Sequence, residues 1–423
     1  MSKVQAADVN ISVGRIAWVV YSTGILFYCF AYLLRVYTGV LQPGLMHKLN
    51  ITASGFGLMT SFYYFAYAPM QIPVGVCVDK IGPRRSLLSA CFIATLGAYI
   101  FAKADILSFA LMGRFLIGFG SAFAYVTALK LATLWLPRRY FASATGAVTA
   151  MGMVAAIVTD NYLTHAMQYM SFSSEVRVPV LAGIVVFLLV LIFVRDRPKS
   201  KSREPQEPQE SGCSKSTLTF AQMAGYLSQI IRNKQMWLIG VVGAFLYLPS
   251  SVFLDTWALP YLQVAHHLSA AEAAYAVSLM FVGWILSGSL AGFISDTIKN
   301  RRQLLIASAC FSLLFSCLLF YLPGLPQFAV YMLMLLIGLS CGPHHLCFTL
   351  SKENYTIRIA GTAIAFANLL IMMGGFIFQP VVGKLLDLMR GGLLLHGQPV
   401  YTNFDYQVAL CIMPVGLFIA LIA

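Results

Sequence analysis

Apolar runs long enough to cross a membrane recur from one end of the 423-residue chain to the other. A membrane helix needs about 20 mostly apolar residues, and about twelve such runs can be traced. They lie near 16–41, 55–78, 86–103, 107–134, 141–165, 178–195, 236–259, 271–294, 303–322, 327–350, 358–386 and 404–423. In lipid every backbone polar group must find its partner inside the protein, so runs of this kind can only be helices. The expected fold class is therefore an all-α integral membrane protein of twelve transmembrane helices. Composition agrees: 59% of residues are apolar, 10% are charged and the mean hydropathy is +0.79, against roughly 45–50% apolar and about 25% charged in soluble domains. Val4–Gly14 has no long apolar core, so no cleavable signal peptide is expected.

Charge sets the orientation. The formal net charge is +13. In a soluble chain this would raise nucleic-acid binding; here positive charge sorted to one side of a membrane explains it better. With twelve spans both termini share a side. About 20 of the Lys and Arg residues fall on that side, about 5 on the other (Lys48, Lys103, Arg177, Lys384, Arg390), and Arg35, Arg114 and Lys130 lie inside spans. Both termini are thus expected in the cytoplasm, with the body in a bacterial inner membrane. Of the 9 cysteines, eight fall in apolar spans and Cys213 in a polar loop. None lies in a loop placed outside, so no disulfide framework is implied.

One long polar stretch interrupts the pattern, from Arg195 to Lys234, and includes EPQEPQE at Glu204–Glu210. Such a segment buries almost nothing and reads as a mobile linker or a surface helix. It divides the chain into a first six-helix half (1–195), a cytoplasmic linker (196–234) and a second six-helix half (235–423).

The loop after the second span reads GVCVDKIGPRR, Gly75 to Arg85, and the place after the eighth span reads GFISDTIKNRR, Gly292 to Arg302. A weak internal repeat across a linker is a mark of two-halved transporters. Asp79 and Asp296 sit at helix ends, where a carboxylate can meet the positive dipole end of a neighbouring helix. By pseudo-symmetry Asp79 is expected to meet the start of the eleventh helix and Asp296 the start of the fifth, with Arg84 and Arg85 fixing the loop. The plain alternative is a pair of ordinary loop turns.

Here the chain resembles the major facilitator superfamily. The first loop fits its G-x-x-x-D-[KR]-x-G-x-[RK]-[RK] signature, and RFLIGFG (Arg114 to Gly120) resembles its fourth-helix arginine motif. The second loop lacks the glycine turn, and TGAVTAMGMV (Thr145–Val154) is a poor fit to the fifth-helix glycine motif of antiporters, which argues against drug efflux. A narrower resemblance is carried by KLATLWLPRRYFA (Lys130–Ala142), GTAIAFANLL (Gly361–Leu370), QPVVGKLLD (Gln379–Asp387) and PVYTNFDYQVAL (Pro399–Leu410). These are similar to the phagosomal nutrient transporters of intracellular bacteria, which implies uptake of amino acids, with nucleosides as a variant.

Ionisable groups inside a membrane are costly and usually face a cavity. In the first span Tyr21, Tyr28, Tyr32 and Arg35 share one helical face. A guanidinium among phenols suits a substrate carboxylate through paired charge-assisted hydrogen bonds; the alternative is an arginine snorkelling to the outer headgroups. Tyr64 and Tyr67 share a face with Thr60 and Gln71, and Tyr247 and Asp255 share one with Ser251; these line a site or merely pack. Asp255 takes an amino group or a proton, pairs with an arginine, or is an interfacial helix-end charge, and Asp160 carries the same ambiguity. Asn368 and Gln379, eleven residues apart, share a face suited to neutral hydrogen bonding. Arg114 reads as a structural or gating charge paired with an acid, and Lys130 as structural. His344 follows Gly342–Pro343 and is either a proton switch or a polar lining of a helix break, and His345 shares the reading.

The leading reading is a secondary transporter of a small solute, with an amino acid first, working by alternating access. Asp160, Asp255 and the histidines are its candidate proton carriers. Export, or carriage of nucleosides, organic anions or drugs, is the alternative on the same fold. No G-x-x-x-x-G-K-[ST] loop is present, against an ATP-driven pump, and no HExxH or Asp/His cluster supports an intramembrane enzyme. No cofactor is expected. The expected partners are the solute and the lipid bilayer, with no nucleic acid, and a monomer.

Overall fold

The computed structural model describes residues 15–137, 140–167, 169, 172, 176–196, 220–391, 394–395 and 398–423. Apolar sequence with no more than two charged residues runs through each span, and the chain forms helices there. The helices before the polar stretch are α1 (Arg15–Val40), α2 (Gln42–Leu49), α3 (Ala53–Met70), α4 (Val74–Ile81), α5 (Pro83–Lys103), α6 (Leu107–Trp135), α7 (Phe141–Ala166) and α8 (Val178–Phe193). After it come α9 (Phe220–Ile231), α10 (Lys234–Leu248), α11 (Ala258–Ala265), α12 (Ala270–Ile298), α13 (Arg301–Tyr321), α14 (Gln327–Cys341), α15 (Leu346–Glu353), α16 (Ile357–Met389), α17 (Asn403–Ala409) and α18 (Ile412–Ile422). A two-residue antiparallel ladder pairs Leu394 with Pro399 and Leu395 with Gln398. The polar stretch supplies α9; EPQEPQE and Cys213 lie outside the described residues.

Among the described residues ten helices are long and apolar enough to cross a membrane. The two remaining expected spans differ for local reasons. The run 55–78 breaks into α3 and α4 at a turn over Gln71–Pro73, where Pro73 has no N–H to offer and Pro69 precedes it. The run 178–195 makes a helix of 16 residues. Two further helices change hand-hold midway. The seventh run is α10, a π-helical segment over Pro249–Trp257, then α11. The tenth is α14, a 3₁₀ turn over Gly342–His345, then α15.

Close helix contacts rest on glycine. A β-carbon on Gly118 of α6 would overlap the Tyr63 carbonyl oxygen of α3, and one on Gly338 of α14 would overlap the Met280 carbonyl oxygen of α12. The same small-residue contact therefore occurs once before and once after the polar stretch. With no hydrophobic drive between helices in lipid, such close approach supplies much of the packing. Gly118→Ala and Gly338→Ala should each lower stability by about 1–3 kcal/mol. Gly146→Ala, where an added β-carbon meets nothing within 4 Å, should be neutral, and thermal unfolding of the three variants in detergent checks the ranking.

Candidate functional site

A cavity of about 670 Å³ opens between the two groups of helices. Its mouth lies at the end of the molecule that carries Asp79, Met223 and Gly361, and its ceiling at Arg35. We call these the mouth end and the far end.

The ceiling is built around Arg35, which is 6% exposed. Its Nε donates to Asp255 Oδ2 at 2.7 Å. Its Nη2 donates to the Tyr64 hydroxyl at 2.8 Å and the Tyr247 hydroxyl at 2.5 Å. Tyr64 in turn donates to Asp255 Oδ2. Rings of Tyr32, Tyr64 and Tyr247 surround the guanidinium, with centroids 5.3–5.6 Å away, an arrangement that adds cation–π attraction. Arg35 Nη1 makes no hydrogen bond to any described residue, and Arg35 lines the cavity. One face of the guanidinium is thus held and the other is left for a ligand. The snorkelling alternative is corrected: the head group turns inward to a carboxylate of the other helix group.

Asp255 reaches Arg35 because of the π-helical segment. The Gly39 position of α1 packs against the Asp255 carbonyl, where a β-carbon would stand 2.9 Å from the oxygen. Asp255 and Tyr64 lie behind Arg35 and are not among the cavity residues. Below them the wall is aromatic: Tyr28, Tyr32, Tyr63, Tyr67, Tyr125 and Tyr247. Gln71 accepts from Asn368 Nδ2 at 2.8 Å across the cavity. His344 and His345 line it beside Trp284.

Several expectations are corrected. Gln379 does not share the cavity with Asn368. It is 1% exposed in a seal at the far end, where it accepts from Thr60 and Thr256 and donates to the Ser251 carbonyl. Eleven residues separate the two, so a common face still left them three turns apart. Arg114 pairs with no acid among the described residues. Its Nη1 donates to the Leu34 carbonyl at 2.7 Å and its guanidinium lies 5.1 Å from the Tyr63 ring centroid. Asp79 does not meet the start of α16 but pairs with Lys130 of α6 at 2.6 Å, because the cavity mouth separates it from α16. The side chain of Asp296 lies outside the described residues. Arg84 takes Asp196 Oδ1 on its backbone N–H at 2.9 Å and donates to the Leu191 carbonyl, so it ties the loop to the end of α8; Arg85 is exposed. Asp160 is 2% exposed on α7, away from the cavity lining, next to Asn161, which donates to Ser278 of α12 at 2.7 Å.

The far end is closed across the two helix groups. Asp387 Oδ2 accepts from the Thr52 hydroxyl at 2.5 Å and the Ser54 N–H at 2.8 Å, at the start of α3. Its Oδ1 accepts from the Tyr401 hydroxyl at 2.6 Å, and that hydroxyl accepts the Ala53 N–H at 2.9 Å. A carboxylate of α16 therefore caps the N-terminus of α3, where free N–H groups and the helix dipole favour negative charge. Asp387 was visible in the sequence only as the end of QPVVGKLLD; the acid-then-helix-start pairing needs the fold.

Comparison with known proteins follows the same line. Residues 24–387 match the model of the Major Facilitator Superfamily. The chain belongs to this superfamily. A protein described as a probable sulfoacetate transporter, from Cupriavidus necator, is 27% identical over 278 residues, 65% of this chain and 64% of that relative, so the match spans just under two thirds of its length. The phosphoglycerate transporter protein of Salmonella typhimurium is 25% identical over 348 residues, 75% of this chain and 72% of that one. Among solved structures, a bacterial homolog of the human lysosomal transporter Spinster, inward-facing and unoccupied, superposes with a TM-score of 0.77 at 16% identity over 96% of each chain. The chain is thus a multi-pass membrane protein of a superfamily of transport proteins, not of enzymes.

The buried ion pair makes a clear test. Asp255→Leu leaves Arg35 buried without its counter-ion and should cost about 3–5 kcal/mol. The double variant Arg35→Met, Asp255→Leu should recover most of that loss. Thermal unfolding of wild type, both single variants and the double variant measures the coupling.

Proposed function

We propose that the chain is a carrier for small organic solutes bearing a carboxylate or another oxyanion, lodged in the bacterial inner membrane with both termini in the cytoplasm. The observation that carries this reading is the free Nη1 face of Arg35 at the ceiling of a phenol-lined cavity whose other charged lining residue, Asp79, lies at the mouth and is paired with Lys130. A guanidinium held from behind keeps its fork geometry for an incoming anion. The names of the two curated relatives, for sulfoacetate and phosphoglycerate, support it as anion carriers.

An α-amino acid, the narrower expectation, is the second reading. Its carboxylate would take Arg35, and its ammonium would find phenol oxygens at Tyr32 and Tyr67, both on the cavity wall. The resemblance to phagosomal nutrient transporters points the same way.

On this assignment the mouth end faces the cytoplasm, and the structure is the inward-open member of an alternating-access cycle. The residues 1–195 and 235–423 are two halves, of six spans each, that rock around Arg35. Asp387 on α3 is the outer latch of the inward-open state, while Asp79 rests on Lys130 and awaits the start of α16. Asp160 and Asp255 are the groups through which protons would couple.

Uptake of a labelled panel of carboxylates, amino acids, sugar phosphates and nucleosides into proteoliposomes, with and without an inward proton gradient, tests the reading. Saturable uptake of an anion or amino acid that Arg35→Gln lowers at least about tenfold is the expected outcome. Intact uptake by Arg35→Gln would remove the arginine from the binding role. Acceleration by the gradient would establish proton symport.

The outer latch predicts a shift of state. Hydrogen bonds to a charged group contribute about 1.5–3 kcal/mol, so Asp387→Asn should raise the population open at the far end about tenfold or more. A cysteine placed at Thr60, which is 1% exposed in the seal, should then react correspondingly faster with an impermeant maleimide added from outside.

A further inference from the structure

We infer that His344 and His345 form a second anchor in the cavity, one that accepts hydrogen bonds, so that the solute held by Arg35 carries a hydroxyl or amino donor at its other end. The inference rests on the oxyanion reading above and adds the chemistry of the solute's opposite end.

The geometry fixes which ring nitrogen carries hydrogen. His344 Nδ1 lies 3.1 Å from the Cys341 carbonyl oxygen, and His345 Nδ1 lies 2.9 Å from the Gly342 carbonyl oxygen. A carbonyl oxygen can only accept, so each Nδ1 is the donor. In a neutral imidazole the other nitrogen is then a bare lone pair. Neither Nε2 has a hydrogen-bond partner among the described residues, and both histidines line the cavity. Two acceptors are thereby presented to whatever enters.

The local fold holds them there. Both rings bond back three residues along the 3₁₀ turn Gly342–His345 that follows α14. Gly342 lets this turn press on α12, since a β-carbon there would overlap Ser287 Oγ. The two rings have centroids 4.0 Å apart. His344 is pinned edge-on by Trp284 at 5.0 Å and lies against Tyr247 at 5.1 Å. Tyr247 is the residue whose hydroxyl takes Arg35 Nη2. A single tyrosine therefore separates the anion anchor from the acceptor pair, a span suited to a short-chain solute.

The wall's hydroxyl groups can donate or accept and so impose no sense on a solute, and its two amides are engaged. Gln71 and Asn368 bond to each other. Above the mouth, the groups of fixed sense that remain are one donor face, on Arg35, and two acceptors, on the histidines. Such a site favours an anion at one end and a donor at the other. It disfavours a second anion, whose oxygens would face lone pairs. A site built to bond a solute group rejects analogues lacking that group far more strongly than a merely apolar pocket does.

The test uses the purified full chain in detergent at about pH 8, above the ordinary histidine range, so that the rings are neutral. Affinities are measured by calorimetry for short-chain hydroxycarboxylates, their O-methyl ethers and dicarboxylates of equal length. The expected result is at least about tenfold tighter binding of the hydroxycarboxylate than of either counterpart. His344→Phe and His345→Phe keep a ring against Trp284 and remove the acceptors, so the preference should fall to about twofold or less while Arg35-dependent binding persists. His344→Gln, which restores an acceptor, should recover part of the preference. Equal binding of hydroxycarboxylate and ether by the wild type, or a preference untouched in both Phe variants, overturns the inference. If the Phe variants do not fold, the wild-type comparison decides alone. Failure of folded wild type to bind any carboxylate through Arg35 overturns the oxyanion reading itself, which distinguishes the two failures.

Discussion

The ion pair between Arg35 and Asp255 is the interaction on which the arrangement turns. It joins α1 to the π-helical segment after α10, both partners are nearly inaccessible, and two phenols complete its hydrogen bonds. Isolated charges at this depth are too costly to persist, so neither residue can be understood alone. The pair also crosses the plane between the helices before and after the polar stretch. Any motion that separates these groups at the far end must leave Arg35 with another anion. A bound oxyanion at Nη1 would provide one, which gives a physical route from ligand binding to rearrangement.

The pair does not act by itself, because the same two runs of chain meet at the far end and border the cavity at the mouth. At the far end the acid of α16, Asp387, sits on the start of α3. At the mouth end the acid that follows α3, Asp79, faces the start of α16 across open space and is held by Lys130. Each run thus offers one acid and one helix start, in opposite order. The far-end contact sets a carboxylate against free N–H groups and a helix dipole, while at the mouth Asp79 is paired with Lys130 instead.

The all-α, multi-pass class was legible because hydropathy over about 20 residues is set by the bilayer, independent of tertiary detail. The number of spans was not, since ten of the twelve runs form full-length apolar helices among the described residues. Helical period also placed Tyr28, Tyr32 and Arg35 correctly on one wall, since α1 is regular over its length. The misses share a cause. The acid partner of Arg35 was open because the distance from α1 to Asp255 depends on a π-helical segment that no periodicity shows. Helical period gives Gln379 the face of Asn368 but not its depth, and depth depends on where the far-end seal lies. Arg114 was given an acid, yet α1 offers it the Leu34 carbonyl instead. Tyr63, Tyr125, Trp284 and Thr149 line the cavity and carry no charge to draw notice. Asp387 had a charge, but its role depends on which helix starts beside it.

Arg35 stands on the regular helix α1, but several polar groups at or behind the cavity sit beside departures from the regular α-helix. Asp255 is in the π-helical segment, the histidines are in the 3₁₀ turn, and Gln71 is at the break between α3 and α4. In lipid a broken helix leaves N–H and C=O groups that water cannot satisfy, and it is tolerated only where protein or a wet cavity takes them up. The histidine rings do this at the 3₁₀ turn, where Nδ1 of each covers a carbonyl, and Gln379 does it at the π-helical segment by donating to the Ser251 carbonyl. The histidines therefore have two duties at once, since one ring nitrogen satisfies the backbone that the break exposes and the other is left with a defined hydrogen-bonding sense toward the cavity. The other end of Gln379 instead accepts from Thr60 and Thr256 in the seal. At the 3₁₀ turn the break in the helix and the acceptors offered to the cavity are one feature, since the first sets the tautomer and direction of the second.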